Sequence, residues 1–134
     1  MRAVEGSLAN IVRLNIVFSN LNKDAERRTG LSVVQWCLLN RILVMPVSSA
    51  QRLAHAMGMH PSTLTQSLKL LSKKGYVFVA QDPRDSRRKL ISLTRKGFEA
   101  IGECRAQMAA YEEKLGVVSR KLESVRMHLA SITE

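Results

Sequence analysis

The stretch "LAHAMGMHPSTLTQSLKLLSKKGYVFVAQDPRDSRRKLISL", residues 53–93, decides the fold. It reads as the end of one helix, a second helix, and then two strands. "SSAQRLAHAMG" (48–58) is a short helix. Ser48 and Gln51 make a Ser-x-x-Gln capping box, with Ser49 as the alternative cap, and Gly58 supplies the stop. "MHPSTLTQSLKLLSKKG" (59–75) is the second helix. Pro61 suits its first turn, where no N–H partner is needed. Leu64, Leu68 and Leu71 recur at i, i+4 and i+7, the buried stripe of a helix, and Gly75 closes it. "YVFVA" (76–80) is β-branched and aromatic, hence a strand. "DPRD" (82–85) is a turn, because proline presets φ and aspartate side chains bond nearby backbone. "KLISL" (89–93) is the return strand.

Two short helices joined at a glycine, the second opening Pro-Ser-Thr, make a helix-turn-helix pattern. Leu53, Ala54 and Met57 face the core, with small Ala54 at the helix crossing. In this motif the second helix uses its N-terminal residues to enter the DNA major groove. Here that end offers Pro61, Ser62, Thr63, Thr65 and Gln66, whose polar members are suited to phosphates or base edges, and Lys69 follows along the helix. A charged hairpin directly after a helix-turn-helix makes the whole a winged helix, mainly α with a small β-hairpin wing. A guanidinium at such a wing tip is drawn to the negative potential of a narrow minor groove.

Working outward, residues 5–28 read as a helix that is apolar nearly all round. Leu8, Ile11, Val12, Leu14, Ile16, Val17 and Phe18 leave little polar surface in its middle. Such a helix is buried on several sides, and a partner subunit is the natural source of that cover. Ser32-Val33-Val34-Gln35 is a capping box opening a helix with Trp36, Leu39 and Leu43, stopped by Pro46. Beyond the hairpin, Thr94 has cap chemistry for a helix over about 95–114, with Phe98, Ile101, Met108 and Tyr111 on its inner side. Leu115-Gly116 breaks or bends it. The last helix carries Leu115, Val118, Leu122, Val125, Leu129 and Ile132, spaced 3, 4, 3, 4, 3, a heptad-type seam. Leu8 and Ile11 at one end and Leu122, Val125 and Leu129 at the other are the candidate dimerisation residues. The domain reading is one domain over 1–134. Dimerisation helices at about 5–28 and 95–134 flank a DNA-binding region at about 31–94.

Composition narrows the function classes. The 134 residues carry a formal net charge of +10, which implies a polyanionic partner, double-stranded DNA before an acidic membrane surface. No apolar run approaches the roughly 18 residues of a membrane span. The opening "MRAVEGSLANIV" lacks the long apolar region of a secretory signal, and two cysteines are too few for a disulfide scaffold. The expected location is the cytoplasm. Enzymatic chemistry has no visible seat: there is no Gly-rich loop, and Glu112 and Glu113 are helix neighbours that point apart. His55, His60 and His128 form no ligand set, and neither Cys-x-x-Cys nor His-Glu-x-x-His occurs. No cofactor or metal is expected.

The chain resembles the MarR family of bacterial transcription regulators, from "LSVVQWCLL" through "LAHAMGMHPSTLTQSLKLLSKKGYV" to "DPRDSRRKLISLTRKG". The most specific part is the Asp-x-Arg of the wing followed by Leu-Thr-x-x-Gly, here Asp85, Arg87, Leu93, Thr94 and Gly97. The resemblance implies a homodimer joined through its first and last helices. It presents two recognition helices to successive major grooves of a pseudo-palindromic operator, and is usually a repressor. Arg87 would be the minor-groove arginine, Asp85 the carboxylate orienting it, and Arg84 and Arg88 phosphate contacts. His60 departs from the pattern, standing where the family usually has a better cap such as Asp or Ser.

Many relatives are released from DNA by aromatic carboxylates or other small molecules, and some sense oxidants through a cysteine. Trp36 and Asn15 are candidates for a ligand pocket, although Trp36 reads first as core. Cys37 and Cys104 are the candidates for a redox switch. A sequence-tolerant nucleoid or architectural protein built on the same winged helix is the other reading.

Overall fold

The computed structural model describes residues 2–133. Among them, helix α1 spans Arg2–Thr29, α2 Val33–Val44, α3 Ala50–Met57, α4 Pro61–Lys73, α5 Arg95–Glu103 and α6 Arg105–Thr133. Strands β1 (Ser48–Ser49), β2 (Val77–Asp82) and β3 (Asp85–Leu93) form one antiparallel sheet in the order β1-β3-β2. The mainly helical architecture with a small wing is the one the sequence implied. The chain divides into two compact units, residues 1–104 and 105–134.

The core of the first unit is aliphatic. Leu31, Leu38, Leu39, Ile42, Leu53, Ala54, Leu64, Leu68, Leu71, Val77, Ile91 and Ile101 are all buried. Leu64, Leu68 and Leu71 are the stripe expected on α4. Helix α2 starts on the Ser32–Gln35 capping box, with both reciprocal bonds present. Asn22 fastens α1 to that start: its Oδ1 accepts from Val34 N–H at 3.1 Å. Trp36 is half-buried and serves structure, its Nε1–H donating to the Ile101 carbonyl of α5 at 3.1 Å.

Several local expectations are corrected. Ser48 makes no capping box with Gln51. It lies in β1 opposite Ile91, and its hydroxyl donates to the Met45 carbonyl. Ser49 is the cap, accepting from Arg52 N–H at 3.2 Å. A strand this short has no periodicity to read, so β1 was invisible in the sequence. The wing strands run longer than 76–80 and 89–93. Pairing continues to Asp82↔Asp85 after an irregularity at Gln81/Asp82, leaving only Pro83 and Arg84 in the turn. Polar side chains do not oppose pairing where both faces meet water.

The helix expected over 95–114 ends early. Cys104 caps α5, its N–H donating to the Ala100 carbonyl at 3.0 Å, and α6 begins at Arg105. Conversely, α6 runs straight through Leu115-Gly116; a lone glycine costs a helix only about 1 kcal/mol relative to alanine. Phe98 is not on the inner side of α5: it is 60% exposed. Gly97, Ala100, Ile101 and Cys104 form that side, at i, i+3, i+4 and i+7.

The junction between wing and α5 explains the Leu-Thr-x-x-Gly spacing. Thr94 accepts from Gly97 N–H at 3.0 Å, and its hydroxyl donates to the Gly75 carbonyl. Its backbone N–H donates to the Tyr76 carbonyl at 3.1 Å. Any Cβ at Gly97 would stand 2.0 Å from that Tyr76 oxygen. Thr94 and Gly97 therefore let the start of α5 dock directly on the backbone where α4 ends and the wing begins.

Candidate nucleic-acid interface

Helix α4 begins where three local rules agree. Gly58 takes the left-handed conformation (φ +63°) that ends α3. Pro61 opens α4 and costs no hydrogen bond there. His60 is held extended (φ −65°, ψ 140°), the region that a residue before proline prefers and that an N-cap requires. Its Nδ1 accepts from Ser62 N–H at 3.2 Å. His60 therefore caps the helix despite being the unusual residue for the position.

The candidate reading residues Pro61, Ser62, Thr63, Thr65, Gln66 and Lys69 are all exposed, while Leu64 and Leu68 point into the core. Helical spacing thus places the polar set on one outward side. Their chemistry is narrower than residue type suggests. Ser62 Oγ lies 2.7 Å from His60 Nδ1, and Thr65 Oγ1 donates to the Pro61 carbonyl at 2.9 Å. With a backbone N–H already pointing at Nδ1, that nitrogen is an acceptor, so the Ser62 hydroxyl must be the donor. Both hydroxyl hydrogens are committed, and Ser62 and Thr65 present only acceptor lone pairs outward. Thr63 and Gln66 keep donor and acceptor, and have no partner among the described residues.

The wing places its charges just as specifically. Asp82 Oδ1 accepts from Arg84 N–H at 2.9 Å, closing the turn. Asp85 Oδ1 accepts from Arg87 N–H at 3.0 Å and from Arg87 Nε–H at 3.3 Å. One carboxylate oxygen thus both shapes the backbone and aims the side chain. The guanidinium is held at Nε alone, and its terminal amino groups stay available. Arg87 is 89% exposed and Asp85 34%, so this pair sets direction and contributes little stability. Arg84, Arg88 and Lys89 are exposed as well. Between α4 and the sheet runs a groove edged by Thr65, Lys69, Lys73 and Lys89 over a floor of Leu68, Val79 and Ile91. Lysines of α4 and a lysine of the wing therefore line one groove.

The sequence carries a further signal in its acidic residues. No Asp or Glu occurs between Arg27 and Gln81, while seven Lys and Arg do. Helices α2, α3 and α4 thus carry no carboxylate. The positive charge of this segment stands uncompensated because acids are absent, more than because bases abound.

The apolar residues of α1 are exposed within the chain: Leu8 by 60%, with Ile11, Val12, Ile16 and Val17 comparable. On α6, Val125, Leu129 and Ile132 are exposed and Leu122 is half-buried. The Val118 side chain lies outside the described residues. Cys37 on α2 is exposed, and Cys104 is buried with its Sγ 3.8 Å from the Thr29 carbonyl. No helix among the described residues is long and apolar enough to cross a membrane.

Residues 29–88 match the family model for the MarR family. Solved structures share the whole fold. A MepR-like protein complexed with pseudoligands superposes with a TM-score of 0.78 at 24% identity, over 98% of this chain and 96% of that one. The Mycobacterium tuberculosis transcriptional regulator MOSR, in complex with DNA, gives a TM-score of 0.74 at 22% identity, over 94% and 96%. A Bacillus cereus protein designated a MarR-like transcription regulator gives 0.69 at 26% identity, over 96% of each chain. No curated protein matches the sequence significantly. The matched segment takes in the helix-turn-helix and the wing tip through Arg88, and the likeness in fold extends over the helices on either side. Over residues 29–88 the chain matches the MarR family, and over nearly its whole length it shares the fold of solved MarR-like transcription regulators.

Proposed function

We propose that this protein is a sequence-specific, double-stranded DNA-binding repressor that acts in the cytoplasm as a homodimer on a pseudo-palindromic operator. The observation that carries the reading is the wing tip, where Asp85 aims a nearly fully exposed Arg87 away from the body while α4 presents Thr63 and Gln66 on the same winged helix. Arg87 enters the minor groove, where a guanidinium is favoured by the negative potential of A·T-rich sequence. Thr63 and Gln66 read base edges in the major groove, Ser62 and Thr65 accept from base amino groups, and Pro61 fixes the start of the helix. Lys69, Arg84 and Arg88 bind phosphates, supplying affinity and register.

Dimerisation draws on the exposed side chains of Leu8 and Ile11 on α1 and, on α6, on exposed Val125 and Leu129 with half-buried Leu122. Burying each such side chain fully is worth about 1.5–3 kcal/mol. Two α4 helices about one turn of DNA apart then require a two-fold operator. Release by a small-molecule effector, aromatic or other, acts by shifting the population between dimers that do and do not match that spacing. The structures of MOSR with DNA and of a MepR-like protein with pseudoligands support both halves of this reading by analogy. The test is selection of bound duplexes from a random pool. The reading expects a recovered motif with two-fold symmetry, whereas a nucleoid protein recovers no motif.

A further inference from the structure

Resting on the DNA-binding reading, we propose that His60, the cap of α4, is itself a DNA contact: its Nε2–H donates to an acceptor oxygen or nitrogen on the duplex. The argument begins with the cap. A backbone N–H has no lone pair to offer, so the Ser62 N–H that meets His60 Nδ1 at 3.2 Å requires that nitrogen to be unprotonated. Ser62 Oγ, 2.7 Å from the same nitrogen, is then a donor too. A neutral imidazole with a bare Nδ1 carries its hydrogen on Nε2. The two contacts to Ser62 thus fix the tautomer.

The ring is also fixed in place. Pro61 restricts His60 to the extended region in which it is found, and both Ser62 groups hold one edge of the imidazole. The opposite edge is the donor. His60 is exposed, and Nε2 has no partner among the described residues. An outward, preoriented N–H therefore stands at the end of the helix that enters the groove, beside Ser62 and Thr65, whose hydroxyl hydrogens are already used. The usual carboxylate or hydroxyl cap satisfies the helix equally well. An aspartate there would turn a negative charge toward phosphates, and a serine ends too soon to reach beyond the cap. Histidine alone among these caps with one edge and carries a donor on the far edge of a ring, several ångströms beyond the cap. The acceptor is a phosphate oxygen or a purine N7 or O6, which share this chemistry.

The test compares His60→Ser and His60→Ala with the unaltered chain on one duplex recovered from a random pool. Serine keeps the cap but draws its donor back to the Cβ-attached hydroxyl, short of the position of Nε2; alanine removes cap and donor both. An ordinary hydrogen bond corresponds to about threefold to tenfold in affinity per helix. The expected result is that His60→Ser melts with the unaltered protein and binds at least about threefold more weakly. Binding by His60→Ser equal to that of the unaltered protein, with only His60→Ala weakened, makes His60 a cap alone and overturns the contact. Should His60→Ser be destabilised, ring 15N spectra of the unaltered protein decide. Nε2 is expected to be protonated and its hydrogen to gain protection from exchange on adding the duplex. A hydrogen on Nδ1, or exchange unchanged by DNA, overturns the proposal. Repeating the selection with His60→Ser separates the acceptors: uniform loss over all sequences identifies a phosphate, and relaxed preference at one base pair identifies a purine edge. If Arg87→Ala weakens binding while His60→Ser does not, the regulator reading stands without this contact. Recovery of no duplex at all removes both.

Discussion

Replacing Arg87 by alanine separates what the wing does for DNA from what it does for the fold. Its side chain is 89% exposed, and among the described residues its polar partner is Asp85, whose Oδ1 accepts from Nε–H at 3.3 Å. An exposed pair of this kind is worth at most about 1 kcal/mol to stability. The backbone bond from Arg87 N–H to Asp85 Oδ1 survives the substitution, so the turn keeps its shape. The melting temperature is therefore expected to move by no more than a few degrees, at about 3 °C per kcal/mol for a chain of this length. On DNA the loss is of another size. One specific arginine contact is worth about 1–3 kcal/mol, and two wings on one operator double it, to about 2–6 kcal/mol. That is a loss of at least about thirtyfold in affinity. Fluorescence anisotropy on a labelled operator, run beside thermal unfolding, measures both. Arg87→Lys is also expected to bind weakly, because an ammonium lacks the Nε–H that Asp85 holds and the planar fork beyond it. Asp85→Asn should lose less than Arg87→Ala, since it loosens the aim and leaves the charge. Arg87→Ala with unchanged affinity would refute the assignment of the wing tip, and so would a large fall in melting temperature that accounts for the lost binding.

Other outcomes follow from the same geometry. Gly97→Ala would put a Cβ 2.0 Å from the Tyr76 carbonyl oxygen, backbone against backbone, and should destabilise by at least about 1–3 kcal/mol although alanine is the better helix former; a melting temperature unchanged or raised would show that α5 docks elsewhere. Leu122→Glu places a charge on the proposed seam and is expected to shift the light-scattering mass from twice 15.0 kDa toward the single chain; an unaltered dimer would move the interface off α6. Lys69→Gln should reduce the slope of log affinity against log salt by about one per helix while leaving sequence preference intact, whereas an unchanged slope would take Lys69 off the phosphates. Exposed Cys37 should react with a thiol reagent in the native protein while buried Cys104 reacts only on unfolding, and DNA binding unchanged after peroxide would remove a redox switch.

Most of the architecture was legible because the chain writes its punctuation clearly. Gly58, Pro61 and Gly75 bracket α4, the Ser32–Gln35 box opens α2, and Leu64, Leu68 and Leu71 announce the buried stripe. Where punctuation was absent or ambiguous the reading drifted. Two adjacent serines each had cap chemistry, and only pairing with Ile91 puts Ser48 in a strand and leaves Ser49 to cap. Leu115-Gly116 resembled a break more than Cys104 did, yet the helix yields at Cys104. Phe98 lies outside because α5 buries Gly97, Ala100, Ile101 and Cys104, a face that residue 98 does not share. In the candidate interface the residue types were visible but their hydrogen-bonding states were not. Ser62 and Thr65 looked like donors until the structure showed their hydrogens committed to His60 and Pro61. The acid-free run from Arg27 to Gln81 needed no structure, only a count of what is missing.

The central claim is that two aimed wings and two recognition helices read one two-fold sequence. The most direct measurement is the ratio of affinities, at one salt concentration, for the selected palindromic duplex and for a random duplex of the same length. Specific reading by this interface predicts a ratio of about a thousand or more, falling by roughly an order of magnitude or more when one half-site is scrambled. A ratio near one, with both affinities falling together as salt rises, would mean that the protein binds phosphates and reads nothing.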